Sequence, residues 1–386
     1  MFGKDVSRLA PAQKLRSVFA PVASLSFNAA QFDDCRNFLA QRSAQTEAVP
    51  IVDEQQLLLS ADGRVTETGY RFNAIGFAAV ANALVNGLNS VFNELAGETR
   101  YRFAASAVNG DLAAAISIYN MVLRSRFELL RERTLLLNHK DKTIEGFLGL
   151  DHKLLDNSVF LNLVADEMSV KQPTAEFYRA EIIGRELRAY YADMKTKRTD
   201  IYFLDPRHTF AGGWYFSNRE DTGLAIRASL CLLTKFGAAL ASGKKRAHVR
   251  HTGADLMGRA ALLIGKTVAQ NLDMDIIARG VHKLVHTSLG FSPNKTTLDA
   301  AMLHWANYLG RFRITKDDAK QICKNAATVG CDLEMRDPLD AYAKETISSR
   351  NLYDLFCSML RYSRNQYHTT RDLLQTAAMD VLLSNS

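Results

Sequence analysis

The pattern of apolar residues along this chain changes once, near Gly253. Before that point, segments with strand-like alternation are mixed with segments of helical spacing, whereas almost everything after it has helical spacing. Strands and helices that are separated along a chain in this way are typical of α+β proteins. We therefore predict an α+β fold. An antiparallel sheet with helices in the N-terminal two thirds should pack against a mainly α-helical C-terminal region.

No internal repeat and no low-complexity linker divides the 386 residues, and only 7 prolines are present. We expect a basic arm with short helices over residues 1–60, a sheet-bearing α+β domain over 61–253 and an α-helical region over 254–386. The N-terminus lacks the continuous apolar segment of a signal peptide, and no apolar run reaches the length of a bilayer. We therefore expect neither secretion nor membrane insertion.

Several elements of this fold can be placed from local patterns. Residues 134–138 and 143–150 predict a β-hairpin, and Asp156 and Asn157 are candidate N-caps of the helix that follows. Residues 173–198 predict a helix, because apolar residues recur at helical spacing after Pro173. The remaining predicted strands are 199–205, 208–218, 222–229 and 247–251, and the remaining predicted helices are 72–95, 254–276 (one long helix or a pair), 296–311, 315–328 and 338–383.

Residues 244–251 are the most basic stretch of the chain. Six of these eight positions are Lys, Arg or His, and only one acid, Asp255, follows closely; the six are Lys244, Lys245, Arg246, His248, Arg250 and His251. Lys and Arg bind phosphates and release counterions, which gives affinity for nucleic acid of any sequence. The formal net charge of +7 agrees with such a partner. The alternative is an exposed basic loop that has no ligand.

Two further groups of residues could extend this site. Trp214 and Tyr215 lie on a neighbouring predicted strand and could stack on unpaired bases, although strand alternation should bury about half of the aromatic residues there. Arg185, Arg188, Lys197 and Arg198 make the end of the predicted 173–198 helix basic. Cations at a helix C-terminus also complement the helix dipole, which is a purely structural explanation.

Other kinds of site have weaker support. The glycines and lysines at 237–245 and 265–267 do not match a phosphate-binding loop, and no G-x-G-x-x-G is present. His282 and His286 would share a helix face but lack the glutamate of a zinc protease, so a surface pair is the better interpretation. We therefore predict no catalytic residue, metal or cofactor. A nuclease built on Asp205 and His208 ranks last, because their spacing gives it no support.

The five cysteines are odd in number and include no C-x-x-C pair. Apolar residues flank Cys231 and Cys357. We expect reduced, buried thiols rather than disulfides or a zinc site. The others are Cys35, Cys323 and Cys331.

The stretch YFSNREDTGLAIRASLCLLTKFGAAL, followed by HVRHTGADL, resembles the phage/plasmid-like family of domains of unknown function. The resemblance lies in Ser217-Asn218, in the acidic-glycine turn 220–223, in Cys231 and in the Arg-His-Thr-Gly of 250–253. Residues 143–157 and 352–383 are also similar, although Leu232 and Leu233 stand where the family has an asparagine-glycine pair. The resemblance implies a bacterial mobile-element protein that acts in the host cytoplasm, and it supplies no reaction.

Together, the residues and the resemblance lead to one main functional hypothesis. We expect a phage or plasmid protein that binds or anneals single-stranded DNA in recombination or replication, with the basic residues on phosphates. A homo-oligomer would follow, because annealing proteins usually work as rings or filaments. The alternative is a virion component or an inhibitor of host defence without enzymatic activity, with the C-terminal helices as the partner interface.

Overall fold

The structure is a computed structural model that describes residues 19–22, 24–86, 112–196, 210–221, 225–241, 246–290, 295–328, 351–364, 366 and 368–384. The described chain has an α+β fold with a curled antiparallel sheet and a C-terminal helical region, which confirms the predicted fold class. In this part of the chain no helix is both long enough and apolar enough to cross a membrane.

The larger sheet has seven antiparallel strands. Its order is β1-β6-β7-β8-β9-β10, and β11 pairs with β9 beside β10. The strands are β1 (Ser24–Asn28), β6 (Ala175–Ile183), β7 (Glu186–Asp193), β8 (Ala211–Arg219), β9 (Ile226–Thr234), β10 (Gly237–Leu240) and β11 (Arg246–Val249).

The smaller sheet has the order β2-β4-β5-β3. Its pairs are antiparallel except for β3 and β5, which run parallel. The strands are β2 (Thr46–Pro50), β3 (Arg71–Phe72), β4 (Thr134–Asn138) and β5 (Thr143–Leu148). One side of this sheet packs on α2 (Ala74–Asn86) and α3 (Leu112–Arg126) around a separate apolar core.

Eight further α-helices are described. They are α1 (Phe32–Ala44), α4 (Asn157–Lys171), α5 (Leu256–Val268), α6 (Met274–His286), α7 (Lys295–Gly310), α8 (Lys316–Thr328), α9 (Leu352–Ser363) and α10 (His368–Ser384). Helices α1, α4 and α5 pack against strands of the large sheet, and α9 and α10 pack on β10 and on α6.

The two faces of the large sheet differ in chemistry because side chains alternate along each strand. One face carries Ile182, Trp214 and Leu230 and forms the main apolar core with α4 and α5. The other face carries Glu181, Arg188 and other charged side chains, and α10 covers it with ion pairs. The central strands β7, β8 and β9 are therefore almost entirely buried on both faces.

Most of the predicted elements are confirmed. The 134–150 hairpin is β4–β5, Asp156 caps α4 by accepting from the Ser158 amide at 2.7 Å, and the pattern after Gly253 is the helix pair α5–α6. Residues 87–95, 199–205 and 338–350 lie outside the described residues. The segment expected as an arm with short helices also contributes β1 and β2.

The predicted helix over 173–198 is wrong, because this segment forms the β6–β7 hairpin. Gly184 stands in the two-residue turn with φ +58°, a left-handed conformation that glycine adopts without strain. Every residue of β7 is buried, since the sheet is covered on both sides. Apolar residues of β7 therefore lie on both of its faces, Leu187 and Ala189 on one and Tyr190 and Ala192 on the other, so a helical spacing can be selected from the strand by chance.

Candidate nucleic-acid interface

Strand β11 lies at one edge of the large sheet and carries the central part of the basic stretch. His248 stands opposite Arg227 of β9. Ala247 and Val249 pack against the main core, whereas His248 and Arg250 are exposed. The predicted alternation is thus present, and it directs His248 and Arg250 to solvent.

The end of β11 is fixed to the turn that precedes α4. The Lys153 amide donates to the His251 carbonyl at 2.6 Å, and the imidazole Nδ1 of His251 lies 3.0 Å from the Lys153 carbonyl oxygen. The His251 ring stacks on His152 with centroids 4.9 Å apart and an interplanar angle of 5°. This arrangement holds the strand end and its exposed Arg250 in place.

Burial changes the protonation of this histidine pair. Burial, with a smaller effect from His251, lowers the pKa of His152 to about 4. Burial also lowers the pKa of His251, and Arg259 adds to that effect. Both rings are therefore neutral near pH 7. His251 is fully buried and is not available as the phosphate ligand that we expected.

The segment after His251 turns sharply into α5. Gly253 has φ +81° and Asp255 has φ +50°. The Asp255 carboxylate accepts from the Gly258 amide at 3.0 Å and so caps the helix. The Arg259 guanidinium donates to the Thr252 carbonyl. The acid nearest to the basic stretch is thus already engaged by backbone.

We define the β11 patch as His248, Arg250, Lys153 and Arg259. His248, Arg250 and Lys153 are exposed, and Arg259 is half-buried. Within the described part of the chain, no acidic side chain forms an ion pair with any of the four. Sequence reasoning missed two of them. Arg259 follows the Asp255 cap by one turn and could have been found, whereas Lys153 lies 98 positions from His251 and gives no signal.

Arg185 belongs to a buried ion cluster and not to the surface. Its guanidinium lies 2.7 Å from Glu145 and 3.0 Å from Glu220, and Arg42 joins Glu145 at 3.0 Å. Burial raises the pKa of Glu220 to about 7, although Arg185 acts in the opposite direction. The cluster joins β5 of the small sheet to the β6–β7 turn of the large one, so Arg185 is removed from the predicted interface.

Arg188 is also fully buried. It lies 2.6 Å from Glu186 and 3.2 Å from Asp372 of α10. Arg227 of β9 contacts the same Asp372 carboxylate. Arg188 therefore joins the sheet to the last described helix and cannot reach a ligand in solvent.

The two aromatic candidates are buried on opposite faces of the large sheet. Trp214 is 1% exposed, and its indole N–H donates to the Gln270 carbonyl at 3.0 Å. Tyr215 is 0% exposed and packs beside Tyr190, with ring centroids 5.2 Å apart. We had expected about half of the aromatic residues in this strand to be core. Both are core because helices cover both faces, so neither can stack on a base.

Some of the predicted site residues lie in parts of the chain that the structure does not describe. Lys197, Arg198, Lys244 and Lys245 lie outside the described residues, as do Asp205, His208 and Cys331. Only the backbone of Arg246 is described, opposite Ser229. For these positions the sequence prediction stays a prediction.

The cysteine prediction is confirmed for the four described residues, which are buried and form no disulfide: Cys35, Cys231, Cys323 and Cys357. Burial raises the pKa of Cys35 and of Cys323 to about 12. Exposed His282 and His286 stack with ring centroids 4.3 Å apart. No group of three metal-ligating side chains occurs among the described residues.

Comparison of the chain with family models, with curated proteins and with solved structures gives no match. The resemblance to the phage/plasmid-like family therefore stays a prediction.

Proposed function

We propose that this protein binds single-stranded DNA and that the β11 patch contacts the phosphate backbone. The observation that carries this proposal is the exposure of His248 on edge strand β11 and of Arg250 directly after it, while Ala247 and Val249 of the same strand pack on the core. The proposed setting is recombination or replication of a phage or plasmid, with strand annealing by a homo-oligomer.

The geometry of the patch supports phosphate binding in two ways. The cations are held on rigid elements, since Arg250 stands between a paired strand and the anchored His251, and Arg259 is on a capped helix. Cations on a fixed backbone lose less backbone entropy on binding than those on a flexible basic loop do. The charge of Asp255 remains close by, but its carboxylate is directed to the helix amide and not to these cations.

The patch presents no Phe, Tyr or Trp on which a base could stack, and its Lys and Arg side chains neutralise phosphates of any sequence. Affinity should therefore depend on salt and only weakly on sequence. For a single strand, the slope of log affinity against log salt falls by roughly 0.7 for each phosphate contact that is lost.

The test is fluorescence anisotropy with a labelled single-stranded oligonucleotide at several salt concentrations. Changing both Arg250→Ala and Lys153→Ala should reduce the salt slope by about 1.4, if each contacts one phosphate. The melting temperature should change little, because both side chains are exposed. Lys140→Ala removes an exposed cation from the β4–β5 turn and serves as the matched control.

Salt curves of the wild type and the double variant that superimpose would remove the β11 patch from the interface. A wild-type protein that shows no affinity for the oligonucleotide at low salt would end the proposal. If that protein also has a fixed oligomeric mass, a structural or host-interacting role becomes the better hypothesis.

A further inference from the structure

A groove of about 390 Å³ lies where α6 ends, α7 passes and α9 begins. Its volume is within the range of sites that bind small molecules or single groups of a polymer. The groove is separate from the β11 patch in sequence and in the elements that form it. Its lining residues are Thr287, His304, Trp305, Asn307, Tyr308, Arg311 and Leu352.

One wall of the groove consists of aromatic rings on α7. Trp305 and Tyr308 meet edge to face, with centroids 5.4 Å apart and an interplanar angle of 77°. Tyr308 meets Phe312 in the same way at 5.5 Å. The Trp305 indole N–H donates to the Leu289 carbonyl at 2.8 Å, which fixes the plane of the ring. The wall is therefore ordered before any ligand arrives.

The polar groups of the groove are cationic or neutral. The Arg311 guanidinium lies 5.7 Å from the centre of the Tyr308 ring, and Arg311 is exposed. His304 and Asn307 are also exposed. None of the lining residues is acidic, and within the described chain no acid forms an ion pair with Arg311. The groove thus offers flat π surfaces, an amide and an unopposed positive charge.

We propose that this groove holds an unpaired nucleobase of a bound single strand, stacked on one of the two nearly perpendicular rings of Trp305 and Tyr308 and in edge contact with the other, with Arg311 on the adjoining phosphate. The inference rests on the proposed function and adds the base-binding site that the β11 patch lacks. A base is planar and matches aromatic faces, and every base can stack. A duplex keeps its bases stacked internally and does not fit this arrangement.

Tryptophan emission gives a direct reading of the stacking. The chain has two tryptophans, and Trp214 is 1% exposed within the core, so a base can reach only Trp305. Titration of the protein with oligothymidylate should quench the Trp305 part of the emission. The Trp305→Phe variant should lose the quenching and keep most of the binding, because a phenyl ring still offers a face.

Anisotropy with the same oligonucleotide measures how much the stacking contributes to the binding free energy. Tyr308→Leu should weaken binding by about five- to 150-fold without a change in salt slope, since stacking releases no counterions. Tyr308→Phe keeps the ring and should bind like the wild type. Arg311→Ala should lower the salt slope by roughly 0.7, whereas Lys140→Ala should leave binding unchanged.

The two proposals fail in different ways. If the wild type binds the oligonucleotide with a salt dependence but Trp305 emission is unaffected and Tyr308→Leu binds normally, the groove inference is wrong and the β11 patch stands. Equal affinity for a duplex of the same length would also refute the groove inference. If the wild type binds no oligonucleotide, both proposals fall. The melting temperature of each folded variant separates lost binding from lost structure.

Discussion

Replacing Asp372 with asparagine tests how α10 is held on the large sheet. The Asp372 carboxylate contacts two arginines of the sheet, Arg188 at 3.2 Å and Arg227. The Asp372 side chain is 4% exposed and that of Arg188 is 0% exposed. Asp372→Asn keeps the shape of the side chain but removes its charge, so the packing of α10 is left nearly unchanged.

Removing one partner of a buried ion pair destabilises a protein by about 3–5 kcal/mol, because the remaining charge stays buried without compensation. In the Asp372→Asn variant, part of the charge compensation of the two arginines remains. Arg188 keeps Glu186 at 2.6 Å, and the Arg227 side chain is 21% exposed and can reach water. We therefore expect the low end of the range, about 3 kcal/mol.

Urea unfolding followed by far-UV circular dichroism measures this loss of stability as a lower midpoint urea concentration with an unchanged m-value. Asp166→Asn, at an exposed position on α4, is the control and should stay within about 0.5 kcal/mol of the wild type. A double-mutant cycle with Arg188→Met should give a coupling energy of about 0.5–3 kcal/mol. An Asp372→Asn variant as stable as the control would refute the view that these charges hold α10.

Three further predictions follow from buried groups. Burial lowers the pKa of His152 to about 4, so the neutral ring stabilises the fold fully above pH 6.5, and this contribution should be lost as the pH falls towards 4. The difference in unfolding free energy between the wild type and His152→Gln over that pH range measures the contribution of His152. Gly213→Ala should destabilise the sheet by more than about 1 kcal/mol in urea unfolding, because the added Cβ would lie 2.1 Å from the Tyr191 carbonyl oxygen. A reducing agent should leave the melting temperature unchanged, because the four described cysteines form no disulfide; a decrease on reduction would contradict this.

Helices and strands could be predicted from the sequence where the local residue pattern matches the structure that the fold gives them. The β4–β5 hairpin has polar turn residues between two apolar runs, and α4 begins at a capping aspartate. The β6–β7 hairpin could not be predicted in the same way. Its strand β7 is buried on both faces, and charged side chains of β6 and β7 on one face are neutralised by Asp372 and Arg371 from far along the chain. The spacing of apolar residues within the hairpin gives no information about those partners.

The same limit applies to the candidate site. The exposure of His248 and Arg250 follows from strand alternation and could be predicted. The burial of Arg185 could not, because its acidic partners Glu145 and Glu220 lie on other strands or turns. The aromatic wall had a signal, the spacing of Trp305 and Tyr308 on α7 and of Phe312 just after its end at intervals of three and four, which is also the spacing of ordinary core residues on a helix.

The ion pairs between α10 and the large sheet have a consequence for the synthesis of the protein. Strand β9 is synthesised about 140 residues before Asp372, which at typical elongation rates is roughly 7–28 s. During that interval Arg227 lacks the carboxylate that contacts it in the finished fold, and Arg188 keeps Glu186 but lacks Asp372. The face of the sheet that carries these arginines therefore cannot be covered as it is in the finished fold until α10 has been made.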